Sequence, residues 1–155
     1  MTDTPALRLV ELTQDNFDTA IAVKVREGQN RFVATVERSL AQAYTARDTA
    51  WPRLLMDGDE AVGFVMVEFD PDVKDPDDRA AIWRLNVAAD LQGRGYGRFA
   101  VRGALAEARR RGNSRVTVSW VPGEGGPEDF YLALGFRKTG RVDEDGEFIA
   151  EVDFG

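Results

Sequence analysis

The sequence reads Gln92-Gly93-Arg94-Gly95-Tyr96-Gly97 between a predicted strand at residues 80–88 and a predicted helix that runs to about Arg111. Glycines let the chain turn tightly, and the unpaired N–H groups at the start of a helix point outward toward an anion. The stretch lacks the Gly-Lys-Ser/Thr of a P-loop, and its alternating glycines do not fit GxGxxG. The pattern predicts a pyrophosphate-binding turn, with a purely structural turn as the alternative.

The regions around this turn predict a mixed α/β chain. Further strands are expected at residues 7–12, 51–56, 61–69 and 116–121. One helix is expected to end near residue 25, and two others to span residues 29–46 and 127–134. A hairpin around Asp145-Gly146 is expected to close the chain. This order lacks the strict alternation of strands and helices in a doubly wound sheet. Because there is no internal repeat or long linker, we expect one α/β (α+β) domain over residues 1–155.

The composition excludes several chemistries. The chain has 155 residues, 27 acids against 20 bases, and neither histidine nor cysteine, so a disulfide, a Ser-His-Asp triad and a thiolate zinc site are excluded. The acidic loop at residues 70–78 lacks the ligand pattern of an EF-hand, and we expect no metal.

The net charge and the hydropathy argue against some classes of partner and favour one cellular location. A net charge of −7 argues against a nucleic-acid partner. No apolar run approaches the roughly 20 residues of a membrane span, so no membrane is expected. Residues 1–5 lack the basic and apolar segments of a signal peptide, which predicts a cytoplasmic location.

The charge is unevenly distributed. Residues 94–115 carry seven arginines against one acid, Glu107, a balance of +6, whereas the other 133 residues carry 13 bases and 26 acids, a balance of −13. A short basic segment in an acidic chain predicts a site for a compact anion. A solvated, arginine-rich helix face is the alternative.

Two motifs resemble those of the GNAT acetyltransferase superfamily. The turn at residues 92–97 matches the pattern Q/R-x-x-G-x-G/A, and Phe130-Tyr131-Leu132-Ala133-Leu134-Gly135-Phe136 matches the pattern FYxxxGF, in the same order and separation. The resemblance extends from Leu7 to Phe154. It implies a GNAT fold, with a mixed central sheet of about seven strands, a splayed parallel pair and about four helices.

The resemblance also implies a cofactor and its place. Acetyl-CoA, as co-substrate, would lie in a V-shaped cleft between the strands at residues 80–88 and 116–121, with backbone groups near Leu85 and Val87 holding the pantetheine arm. The pyrophosphate would meet the amides of Gln92, Gly93, Arg94, Gly95, Tyr96 and Gly97. Arg94 and Arg98 are expected to add charge-assisted contacts to the phosphates.

Tyr131 is the residue expected to act in the chemistry implied by this resemblance. A phenol can protonate the CoA thiolate as it leaves, and its ordinary pKa near ~10 keeps it protonated at neutral pH. The alternative is that Tyr131 only packs the short helix against the sheet. Because cysteine is absent, direct transfer to the amine is favoured over an acyl-enzyme.

The base that deprotonates the amine is less evident from the sequence. Glu68, Glu128 and Asp129 are candidates, and a water molecule is the default. The strand position where many relatives carry a glutamate reads Trp83-Arg84-Leu85-Asn86 here, without an acid.

The acceptor is expected to be a small-molecule amine. The connection Val121-Pro122-Gly123-Glu124-Gly125-Gly126-Pro127 replaces an asparagine that contacts the cofactor in many relatives. With residues 28–34 and 39–44, it resembles bacterial spermine/spermidine (diamine) acetyltransferases, which implies a polyamine, and the acid-rich remainder would suit a polycation. Aminoglycosides, amino acids, protein N-termini and a non-catalytic acyl-CoA-binding module are the alternatives. Homodimers are common among these relatives, and no interface is evident here.

Overall fold

The computed structural model describes residues 6–75 and 78–154. The expectation about a signal peptide concerns residues 1–5 and therefore lies outside the described residues. The elements are β1 (Leu7–Val10), α1 (Phe17–Ile21), α2 (Val36–Thr45), β2 (Ala50–Asp57), β3 (Glu60–Phe69), β4 (Ala80–Val87), α3 (Tyr96–Arg110), β5 (Arg115–Trp120), α4 (Glu128–Ala133), β6 (Arg137–Val142) and β7 (Phe148–Asp153). Short 3₁₀ turns lie at Gln29–Arg31 and Ala89–Leu91.

The seven strands form one sheet in the order β1-β2-β3-β4-β5-β7-β6. All neighbours are antiparallel except β4 and β5, which run parallel. These two strands pair only at Ala81 with Thr117 and at Ile82 with Val118, and then diverge. The predicted mixed sheet with a splayed parallel pair and four helices is confirmed.

Helices cover both faces of the sheet. On one face α3 buries Ala100, Val101 and Ala104 in a core cluster with Val65 and Val67 of β3 and other residues. On the other face α1 and α2 contribute a second cluster that includes Phe64 and Met66 of β3. Successive side chains of a strand point to opposite faces, and because helices cover both faces, residues 62–67 of β3 are apolar and buried without interruption.

A β-bulge in β4 interrupts this alternation. Met66 of β3 pairs with Arg84 and Val67 pairs with Ile82, so Trp83 is the extra residue. Trp83 packs against the α1–α2 cluster, and Arg84 donates a hydrogen bond to Gln42 of α2. The side chains of Trp83 and Arg84 are consecutive in sequence but therefore both face the layer formed by α1 and α2.

The helices before β2 are shorter than predicted. The first ends at Ile21 rather than near residue 25, and the predicted helix at residues 29–46 is divided into the 3₁₀ turn Gln29–Arg31 and α2. Thr35 causes the break, because its extended backbone and its hydroxyl, which accepts the Arg38 N–H at 3.2 Å, make it the N-cap of α2. Residues 32–34 are consequently free to line the cleft described below.

Within residues 6–75 and 78–154, none of the helices combines the length and the apolar character that crossing a bilayer requires.

Candidate active site

A cleft of about 700 Å³ opens where β4 and β5 diverge. Its walls are formed by residues 29–34 before α2, the second half of β4, the glycine turn with the start of α3, and the end of β5 with α4. Past Ile82, the edge of β4 that faces β5 pairs with no strand of the described residues. An extended ligand can therefore lie along this edge and use the backbone of β4.

The glycine turn presents unpaired donors to one end of the cleft. Gly93 and Gly95 have φ angles of 81° and 87°, which side chains disfavour, and Gly95 is the N-cap of α3. In the described part of the chain, the backbone N–H groups of residues 92–97 donate to no protein acceptor. These donors and the helix dipole could hold an anion at this end of the cleft.

Gln92 fixes the turn to the surrounding elements. Its side-chain Nε2 donates to the Val87 carbonyl at 3.0 Å and to Gln29 Oε1 at 2.8 Å, and Gln29 Nε2 donates back to Gln92 Oε1 at 3.1 Å. This reciprocal amide pair joins the glycine turn to the 3₁₀ turn on the opposite wall.

The sequence-predicted cofactor residues do not all face the cleft. Leu85, Val87, Gln92, Gly93, Gly95, Gly97 and Arg98 line it. Tyr96 also borders the cleft, but its hydroxyl donates to Asp57 Oδ2 at 2.6 Å, and this hydrogen bond raises the pKa of Tyr96. Only its backbone N–H, which donates to no described acceptor, is left for a ligand. Arg94 is exposed and is not among the lining residues.

Most of the basic segment is engaged elsewhere. Of its seven arginines in the described chain, only Arg98 lines the cleft. Arg110 and Arg111 both pair with Glu107 and lower the pKa of that carboxyl to about 2. Arg115 pairs with Asp153. The charge balance of +6 therefore arises largely from a solvated helix face with its own ion pairs.

Tyr131 lies at the centre of an aromatic cluster beside the cleft. Its ring stacks on Trp120 at 5.6 Å and meets Phe130 and Phe136 edge-on at 5.0 and 5.6 Å. The side chain is 5% exposed and borders the cleft, and its hydroxyl has no hydrogen-bond partner among the described residues. Burial raises the pKa of Tyr131 well above its usual value, so the hydroxyl is protonated at neutral pH.

Glu147 is the acid that sequence reasoning missed. It is the only acidic side chain lining the cleft in the described chain, and it precedes β7 at the point where Phe148 pairs with Trp120 of β5. Burial raises the pKa of Glu147, with further contributions from Asp143 and Asp145 that exceed the opposing effects of Ser119 and Arg84. A carboxylate with a raised pKa in a cleft is suited to accept a proton.

The three acids that the sequence offers as candidate bases do not line the cleft. Glu68 accepts a hydrogen bond from the Thr49 hydroxyl at 3.3 Å, Glu128 pairs with Lys138 at 3.4 Å, and Asp129 is exposed. No local pattern singles out Glu147 in their place, because its position depends on the register between β5 and β7.

An acidic turn surrounds Glu147. Carboxylate oxygens of Asp143, Asp145 and Glu147 lie within 4.8 Å of one another. Asp143 Oδ1 accepts the backbone N–H groups of the other two residues at 2.9 Å each, so the turn itself brings these acids together. The expected absence of a metal stays a prediction.

Comparisons with known proteins agree with this geometry. The acetyltransferase (GNAT) family matches residues 12–136. No match was found among the curated proteins.

Three solved structures illustrate the likeness in fold. A domain from Methanocaldococcus jannaschii superimposes with a TM-score of 0.75 at 16% identity, covering 97% of this chain and 99% of that one. The ribosomal-protein-S18-alanine N-acetyltransferase of Escherichia coli gives a TM-score of 0.68 at 16% identity, covering 95% and 93%. The PaiA N-acetyltransferase of Thermoplasma acidophilum, in complex with coenzyme A, gives 0.68 at 12% identity, covering 96% and 99%.

Proposed function

The chain belongs to the acetyltransferase (GNAT) family, and we propose that it transfers the acetyl group of acetyl-CoA directly to a primary amine of a small molecule. One observation carries the proposal: Tyr131, whose hydroxyl has no partner among the described residues, Glu147 and the unpaired amides of the glycine turn all border one cleft. An acid, an anion site and a base are the three groups that this reaction needs.

The described residues fit acetyl-CoA. The free N–H groups of residues 92–97 suit the pyrophosphate, and Arg98 adds a positive charge beside them. The edge of β4 at Leu85 and Val87 pairs with no described strand and suits the amide-bearing pantetheine arm, which can hydrogen-bond like an added strand, although the Val87 carbonyl already accepts Gln92 Nε2. Arg94 is proposed for the phosphates only through a shift of its exposed side chain.

The proposed chemistry divides the proton transfers between two residues. Bound acetyl-CoA supplies the thioester whose acyl carbon the amine attacks, so that a C–N bond forms and the C–S bond breaks. Glu147, directly or through a water molecule, accepts the proton that the ammonium must lose. Tyr131 donates its proton to the departing sulfur, and the second proton that the nitrogen loses as the amide forms returns to Tyr131, directly or through a water molecule. The products are the acetylated amine and the CoA thiol.

The polyamine acceptor finds no support in the residues of the cleft. Of the charged side chains that line it in the described chain, three are the arginines Arg31, Arg84 and Arg98, and one is the acid Glu147. The surplus of acids elsewhere therefore does not extend into the cleft. A polyamine stays a prediction, as do the homodimer and the cytoplasmic location.

Turnover tests the proposal directly. The protein is incubated with acetyl-CoA and a panel of amino acids, polyamines, aminoglycosides and peptides, and free thiol is measured. We expect thiol release above the rate of acetyl-CoA hydrolysis with at least one class of amine. Stabilisation by CoA without turnover on any amine would favour an acyl-CoA-binding module instead. An unchanged melting temperature in the presence of CoA or acetyl-CoA would refute both functions.

A further inference from the structure

The bulge in β4 places Arg84 on the side of the cleft that faces α2, which we call the acceptor side. Arg84 is half-buried, borders the cleft and reaches across to α2, away from the glycine turn. One Nη donates to the Trp83 carbonyl at 2.9 Å and the other to Gln42 Oε1 at 2.8 Å. Its Nε is buried without a partner. Among the described residues, this guanidinium donates to two neutral acceptors and forms no ion pair with a carboxylate.

Arg53 on β2 is a natural comparison within the same sheet. It also donates Nη1 to the preceding carbonyl, that of Pro52, at 2.8 Å, and its guanidinium lies 4.4 Å from the centre of the Trp51 ring. Arg84 lies 5.4 Å from the centre of the Trp83 ring. Burial lowers the pKa of both arginines. The difference is the counter-ion, because Arg53 has Glu11 at 3.7 Å.

An unpaired buried donor on a charged group has a cost of desolvation, and native proteins rarely retain one without a role. Gln42 holds the Arg84 side chain in place but supplies no charge. A ligand that brings a negative charge would therefore complete the site. Among such ligands, a planar carboxylate suits this guanidinium, because each Nη carries a second N–H beside the one donated to Trp83 or Gln42, and a carboxylate can accept both.

The charge of Glu147 also determines which ligand would suit Arg84. Glu147 and Arg84 border the same cleft, and the charge of each acts on the pKa of the other, yet they form no ion pair. The space between them is bounded by one acid and one base. A molecule with an ammonium toward Glu147 and a carboxylate toward Arg84 is neutral overall and complements both ends, whereas a polycation would be repelled by Arg84.

We propose that Arg84 binds a carboxylate of the acceptor, so that the substrate class is a small primary amine that also carries a carboxylate, such as an amino acid. The inference rests on the proposed function, because it concerns the acceptor of that reaction.

Matched acceptors test the inference in the unaltered protein. Each amino acid of a panel is compared with its own carboxamide, which keeps the side chain and removes the negative charge, at matched concentrations of unprotonated amine because the carboxamide is the weaker base. Spermidine and putrescine are included. We expect kcat/KM for the best amino acid to exceed that of its carboxamide by about tenfold or more, as loss of a charge-assisted contact predicts. Binding of each compound to the CoA-loaded protein is measured by calorimetry as well.

Variants assign the preference to Arg84. In Arg84→Gln we expect the ratio between acid and carboxamide to fall to about one, chiefly through KM, with the Kd for acetyl-CoA unchanged. Arg53→Gln, the matched control, keeps the wild-type ratio. Arg84→Lys keeps the charge without the fork and retains part of the preference.

Several outcomes would overturn the inference and leave acetyl transfer intact. These are a preference of the wild type for carboxamides or polyamines, equal calorimetric affinity for acid and carboxamide, and an Arg84→Gln variant that keeps the wild-type ratio. If Arg84→Gln does not fold, the ratio in the wild type and the Arg84→Lys variant still decide. Absence of both CoA binding and thiol release would instead refute the proposed function.

Discussion

The two ends of the cleft are built in different ways. The glycine end consists of consecutive backbone N–H groups between residues 92 and 97, oriented by left-handed glycines. The acceptor end consists of side chains from separate parts of the chain, with Gln42 on α2, Arg84 on β4 and Glu147 before β7. An anion site made of backbone is visible as a short motif, whereas a site made of distant side chains depends on the register of the sheet.

The largest expected effect concerns Tyr131, which stands between the two ends. Tyr131→Phe keeps the aromatic packing and removes only the proposed acid, so kcat should fall by about 10³-fold. The Kd for acetyl-CoA should stay the same. Because the lost hydroxyl has no partner, the melting temperature should not decrease. Steady-state kinetics and a thermal melt measure both, and a kcat within about threefold of wild type would show that Tyr131 only packs.

The acceptor end is tested by Glu147→Gln, which we expect to lower kcat/KM by about 10²-fold. The raised pKa of Glu147 means that activity of the wild type is lost as the pH falls through a value above that of an ordinary glutamate. The glutamine variant cannot titrate, so its acidic limb should vanish. The pH profile of kcat/KM is the measurement, with Glu128→Gln as control because Glu128 lies outside the lining. An acidic limb unchanged in Glu147→Gln would assign the base to water or another group.

A smaller effect tests whether the glycine end binds its ligand through backbone N–H groups or through side chains. Tyr96→Phe removes the hydrogen bond to Asp57 and keeps the amide, so the midpoint of unfolding by urea should move to a lower urea concentration. Affinity for acetyl-CoA should remain at the wild-type level. A large loss of affinity without loss of stability would mean that the Tyr96 hydroxyl contributes to the anion site.

The smallest effect is expected from the arginines near the turn. Arg98→Gln should weaken acetyl-CoA binding by about fivefold at low salt and less at high salt, because an exposed charge is screened. Arg94→Gln, outside the lining, should change the Kd less. Calorimetry at two salt concentrations distinguishes them, and a larger effect at Arg94 would reverse the assignment made from the geometry.

Sequence reasoning predicted the sheet and the glycine end because both depend on local patterns. The apolar run of β3 and the glycines before α3 carry their structure in consecutive residues. The helix predicted at residues 29–46 was too long, since apolar spacing continues through Thr35 although the chain does not remain helical there.

Glu147 could not be predicted for a different reason. In sequence it belongs to a hairpin whose Asp143 organises a turn, which is a sufficient explanation for acids at that place. Only the pairing of β7 with β5 brings Glu147 to the cleft. The bulge that turns Arg84 toward α2 is equally invisible, because no residue type in Trp83-Arg84-Leu85-Asn86 specifies it.

The bulge at Trp83 has a consequence for how the protein could evolve. The extra residue keeps Ile82, Leu85 and Val87 in phase with the core beneath α3, while position 84 stays on the opposite layer. Without it, a shift by one residue would exchange the two sets of side chains. Position 84 is thereby decoupled from the core, and mutations there can change the charge of the cleft while the sheet and the glycine turn stay unchanged.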